Sequence, residues 1–125
     1  RDQFLGVCSI LHSQWNGNVR DSFPDFEDPT LRYMTIAEDE LREAKDDVKI
    51  LNFGKDSLTV RALINKNFMT IPQQSLNARG LPMKFTGEGH IDNDGYLTIL
   101  YTTSFIQTGQ VDCEDCVIFA QRIDN

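Results

Sequence analysis

Val48–Gln74 reads VKILNFGKDSLTVRALINKNFMTIPQQ, and this stretch decides the fold. It holds three apolar runs separated by two short turn signals. Side chains alternate along a strand, so Val48, Ile50 and Asn52 share one face and Lys49, Leu51 and Phe53 the other. Gly54-Lys55-Asp56-Ser57 then interrupts with turn-prone residues. Leu58, Val60, Ala62 and Ile64 form the next apolar face, with Thr59 and Arg61 opposite. Asn65-Lys66-Asn67 turns again, and Phe68–Ile71 runs up to Pro72. Connections this short predict antiparallel neighbours, because a parallel pair needs a crossover of roughly a dozen residues.

The same reading extends outward. Phe4–Leu11 is a first strand that Trp15 closes, before Asn16-Gly17-Asn18, a turn or loop. Asp21–Pro29 (DSFPDFEDP) carries two prolines and reads as a loop bearing Phe23 and Phe26. Those two rings either anchor the loop over a barrel end or face a ligand as a lid. Leu31–Ala37 alternates as a second strand. Glu38–Asp47 is a charged connection with helix formers, read as a helical turn or a solvated acidic loop.

Beyond the central stretch, Ser75–Met83 reads as a loop. Lys84–Ile91 is a strand interrupted by Gly87 and Gly89, which share a face where something approaches closely or the strand bends. Asp92-Asn93-Asp94-Gly95 is the strongest hairpin signal, read as a type I′ turn. Tyr96–Phe105 is the longest strand, with Leu97, Ile99 and Tyr101 on one face. Ile106–Glu114 reads as a polar loop and Cys116–Ile123 as the last strand.

Eight strands with local connections predict an all-β, antiparallel up-and-down meander that closes into a small barrel, which leaves no open edge. A two-sheet β-sandwich is the alternative. The 125 residues fit one domain spanning 1–125. A chain of this length buries about two-thirds of its unfolded surface, so it needs no metal or disulfide cage.

Composition narrows the function classes. With 12 basic and 19 acidic residues the net charge is −7, which disfavours nucleic acid and anionic lipid as partners. No apolar run approaches the roughly 18 residues of a membrane helix. The chain opens on Arg1 and reads either as a processed form, cut from an upstream signal, or as a trimmed chain.

Cys8, Cys113 and Cys116 leave one thiol over under any intramolecular pairing. The first reading pairs Cys8 with one of the two C-terminal cysteines, because barrel closure sets the first strand beside the last. A second reading leaves all three free. The C-x-x-C spacing lacks the βαβ context of a redox motif, and Glu114 and Asp115 between the thiols raise a thiolate pKa. His12 and His90 lack the spacing of zinc ligands, and Tyr96–Thr103 lacks the distal acid of a calcium loop. No serine sits in a G-x-S-x-G elbow. Expectation is therefore of no metal, no cofactor and no enzymatic activity.

Several motifs carry a family resemblance. They are Asp2-Gln3-Phe4-Leu5-Gly6, the run from Val48 to Asn52-Phe53-Gly54, Leu58-Thr59-Val60, Ile71-Pro72-Gln73-Gln74, Gly87-Glu88-Gly89 and Leu97–Thr102. Together they resemble small lipocalin-like, calycin-type β-barrels of Gram-negative gut bacteria, secreted or lipid-anchored in the cell envelope. Val7-Cys8 departs from that pattern, which has a tyrosine nearby, and the Asp21–Pro29 and Glu38–Asp47 segments are longer and more acidic. The resemblance implies an outer-membrane lipoprotein or secreted protein, held at a membrane only through an upstream lipid anchor. It brings no catalytic residue.

Two functions follow as expectations. The first is a barrel binding a small apolar or amphipathic ligand, lined by Trp15, Phe53, Tyr101 and Phe119. The alternative is a surface module that engages a protein or glycan through loops carrying Phe23, Phe26 and Trp15.

Overall fold

A computed structural model of the chain describes residues 4–15, 18–20, 33–38, 47–53, 58–78 and 80–123. The Phe23 and Phe26 loop and the acidic connection at residues 39–46 lie outside these. The described residues form nine strands and no helix. They are β1 (Gly6–Trp15), β2 (Asn18–Arg20), β3 (Tyr33–Glu38), β4 (Asp47–Phe53), β5 (Leu58–Asn65), β6 (Phe68–Ala78), β7 (Leu81–Ile91), β8 (Tyr96–Phe105) and β9 (Val111–Arg122). Consecutive strands from β3 to β9 pair antiparallel. β1 pairs with both β3 and β9, which closes an eight-strand barrel of the lipocalin-like, up-and-down kind. The extra strand, β2, pairs with the far half of β1.

The alternation predicted for the central stretch positions the core. Val60, Ala62 and Ile64 of β5 face inward with Val48 and Ile50 of β4, Met34 and Ile36 of β3, and Leu97 and Ile99 of β8. Phe53 departs from the expected pattern. It lies on the same inner side as Val48 and Ile50, because the β4–β5 register shifts between Ile50 and Phe53. One extra residue in a ladder turns every later side chain to the opposite face.

Other sequence expectations are corrected in the same way. Ser75–Met83 is mostly strand: β6 reaches Ala78 and β7 resumes at Leu81, with Gly80 at φ +79° in the connection. Ala78 and Met83 are buried on the inner face, so packing outweighs the local turn propensity of Asn77, Gly80 and Pro82. The last strand begins at Val111 instead of Cys116. The 92–95 turn is not type I′, which needs positive φ at both central residues. Only Gly95 has it (φ +86°), and the Gly95 N–H donates to the Asp92 carbonyl at 3.2 Å. That is a type I turn followed by a left-handed glycine. The Asp92 carboxylate accepts from the Asp94 and Tyr96 N–H groups at 2.9 and 3.0 Å, which explains an aspartate at this corner.

The expectation for Gly87 and Gly89 holds. A Cβ on Gly87 would lie 2.5 Å from the Leu100 carbonyl oxygen and 2.9 Å from the Tyr101 Cβ. On Gly89 it would lie 3.0 Å from the Thr98 carbonyl oxygen. β7 therefore crosses β8 more closely here than any side chain permits.

The cysteine pairing differs from the first reading. Cys113 and Cys116 form a disulfide, and Cys8 is buried and takes no part in it. Closure does set β1 beside β9, but the register places Cys8 opposite Arg122. Cys116 lies six residues further along β9, which is about 20 Å at strand rise. A disulfide needs Cα atoms within about 7 Å.

Candidate functional site

Two places on the barrel gather chemically interesting side chains. The first is inside, at the end carrying the β6–β7 and β8–β9 connections. Here the Phe53 ring meets Tyr101 edge-to-face at 4.9 Å and Phe85 at 6.3 Å, a favourable geometry for aromatic quadrupoles. Leu58, Leu76, Tyr101 and Phe105 pack beside them and are only partly buried. Toward the middle of the barrel the inner side chains close up. Met34, Val48, Ile50, Val60, Ala62, Leu97 and Ile99 are 0% exposed, which leaves no room for a water molecule against them. The described middle of the barrel is thus a packed core.

The second place is the outer wall formed by β6, β7 and β8. Register aligns two rows of outward side chains. Phe68 sits opposite His90, which sits opposite Thr98; Thr70 sits opposite Glu88, which sits opposite Leu100. Directly opposed residues lie about 4.5–5.5 Å apart at Cβ, so each row is a contiguous strip. Leu63 of β5 extends the second row beside Thr70. Phe68 is 65% exposed, and Leu63 and Leu100 are exposed beside it. Phe68, Thr70, Glu88, His90, Thr98 and Leu100 bound a depression of ≈ 360 Å³. A neighbouring one of ≈ 290 Å³, bounded by Thr86, Glu88, Leu100 and Thr102, meets it at Glu88 and Leu100. The wall thus combines an exposed ring, aliphatic surface, hydroxyls, an imidazole and one carboxylate.

The residues singled out from the sequence divide between these places. Phe53 and Tyr101 come together inside. Phe119 does not join them. Ile118 and Ala120 take the inward positions of β9, so Phe119 points out and stacks on Tyr96 at 5.6 Å with an interplanar angle of 2°. Opposite Thr98, it extends the first outer row. Trp15 ends β1, and its side chain lies outside the described residues, as do Phe23 and Phe26. His90 is exposed on the outer wall. No group of three or more His, Cys, Asp or Glu side chains among the described residues is placed to hold a metal ion.

The outer wall was not singled out from the sequence. Its signal was present: Phe68, Thr70, Glu88, His90, Thr98 and Leu100 all lie on the polar side of their strands. Alternation identifies that side as solvent-facing, yet only register shows that an exposed ring, a carboxylate and an imidazole lie side by side.

Comparison of the chain with protein-family models, with curated proteins and with solved structures returns no match.

Proposed function

We propose that this protein is a non-catalytic binding module that engages a neutral glycan on the outer wall of β6–β8, with the barrel as scaffold. The observation that carries this reading is the exposed Phe68 ring set among Thr70, Glu88, His90 and Thr98 in a shallow depression. A sugar presents an apolar C–H face and a rim of hydroxyls. A flat ring matches the first, and hydroxyl, carboxylate and imidazole groups match the second. Glu88 within the wall and a net charge of −7 disfavour acidic saccharides. The disulfide is consistent with an oxidising compartment, and so supports the secreted or envelope location that the sequence resemblance implies.

A second reading, a small apolar ligand held inside, is favoured by one observation. Tyr101, Leu58, Leu76 and Phe105 form an apolar, incompletely buried lining around the buried Phe53 at one barrel end. The packed middle restricts such a ligand to that end.

Amide chemical-shift titration separates the two. Neutral oligosaccharides are expected to perturb Phe68, Thr70, Glu88, His90, Thr98 and Leu100, and Phe68→Ala to abolish the response. Perturbation by a fatty acid centred on Phe53 and Tyr101, with none from any saccharide, overturns the glycan reading.

A further inference from the structure

The corner where β8 meets β9 is built unlike the rest of the barrel. Tyr101 pairs with Cys116, Thr103 with Cys113 and Ser104 with Val111. Across these pairs β8 advances three positions while β9 advances five, so two successive bulges sit in β9. In an unbulged strand, residues three apart face opposite sides. The bulge turns Cys113 and Cys116 to the same side, where both are buried with Cα atoms 6.0 Å apart. The disulfide therefore depends on the bulge.

Among the described strands, this segment of β9 pairs on one side only. Pairing with β1 ends at Gln14 opposite Val117. From Val111 to Cys116 the ladder among the described strands is with β8 alone, and it is interrupted twice. Thr103, buried at this corner, donates its hydroxyl to the Asp112 carboxylate at 3.4 Å.

We propose that the Cys113–Cys116 disulfide is a redox-sensitive staple that fixes this double bulge, and that its reduction releases residues 111–116 while leaving the barrel closed. The reductant is a dithiol. One of its thiolates attacks a sulfur of the pair, forming a mixed disulfide and expelling the other cysteine as a thiolate that takes up a proton. The second thiol of the reductant then displaces the remaining cysteine, which is protonated in turn. The dithiol leaves as its own disulfide, having passed two electrons to the pair. The effect is local because a bridge between residues three apart closes a minimal loop and constrains the unfolded chain little. It reaches the end of the barrel interior, because Cys116 pairs with Tyr101, and Tyr101 holds the Phe53 ring.

Hydrogen exchange on the full chain, oxidised and after dithiothreitol, tests this. Iodoacetamide in denaturant is expected to label only Cys8 before reduction and all three cysteines after. Amides of residues 111–116 are expected to exchange about tenfold or more faster after reduction, with those of 97–99 and 118–120 unchanged within about twofold. The double variant Cys113→Ser with Cys116→Ser is expected to reproduce the reduced pattern. Labelling of all three cysteines without reductant overturns the proposal. So does unchanged protection at 111–116, or loss of protection throughout the barrel in both the reduced protein and the double variant.

Discussion

The side-chain amide of Gln74 hydrogen-bonds the backbone of Arg61 in both directions. Its Oε1 accepts from the Arg61 N–H at 2.9 Å, and its Nε2 donates to the Arg61 carbonyl at 2.9 Å and to the Pro72 carbonyl at 3.0 Å. The β5–β6 ladder runs only from Leu63–Thr70 to Asn65–Phe68. Beyond it Pro72 has no N–H to donate, and the β6–β7 register shifts between Ile71 and Gln74. The Gln74 amide stands in for the missing peptide group and carries the sheet across the gap.

Gln74→Ala is therefore expected to destabilise the protein by about 1–3 kcal/mol, because it leaves a partly buried N–H and C=O of Arg61 unpaired. Thermal unfolding reads this as a drop in Tm of about 4 °C or more. Gln74→Glu keeps an acceptor but sets a carboxylate against the Arg61 and Pro72 carbonyls. It is expected to be no better than alanine at neutral pH. A Tm unchanged in both variants would show that the ladder does not depend on this amide.

The two glycines of β7 are expected to differ in the cost of a methyl group. On Gly87 the new Cβ meets the Leu100 carbonyl oxygen at 2.5 Å, and backbone cannot yield there without moving β8. On Gly89 the nearest approaches are 3.0 Å to the Thr98 carbonyl oxygen and 3.2 Å to Ile99 Cγ1. Gly87→Ala is expected to cost about 3 kcal/mol and Gly89→Ala about 1 kcal/mol, within the range for overpacking. Denaturant midpoints of the two variants give the ranking directly.

Lys66 holds φ +57° in the two-residue turn between β5 and β6. A side chain in this region is strained, and glycine is not. Lys66→Gly is expected to raise stability by up to about 1 kcal/mol, measured by urea unfolding.

Phe53 and Phe68 test the division between interior and wall. Phe53 is buried against Phe85 and Tyr101, so Phe53→Ala is expected to cost about 3–5 kcal/mol. Phe68 is mostly exposed, so Phe68→Ala is expected to change stability by at most about 0.5 kcal/mol. The same variant removes the ring on which the glycan reading depends. Paired unfolding curves and titrations separate the two roles.

Much of this architecture was legible in the residues. Leu58, Val60, Ala62 and Ile64 alternate with polar neighbours, and burying that face leaves a strand one choice of side. Connections as short as Lys66-Asn67 leave antiparallel pairing as the only option. Gly87 and Gly89 pointed to a close approach or a bend, because no other residue lacks a Cβ, and the structure shows the close approach. The candidate site was far less legible. Phe53 and Phe119 look alike as aromatics in apolar runs, yet a bulge turns Phe53 inward and strict alternation turns Phe119 out.

The amino-acid sequence by itself determined the all-β class and the antiparallel meander, and favoured a closed barrel over a sandwich, because periodicity and loop length are local quantities; it did not show β2 or the strand across Ser75–Met83. Only the tertiary structure decided register: the bulges at Phe53 and Cys113, the disulfide between Cys113 and Cys116, the Gln74 bridge and the outer strip from Phe68 to Leu100. Register depends on how side chains from distant strands share one interior, and a single displaced residue reverses every face that follows it.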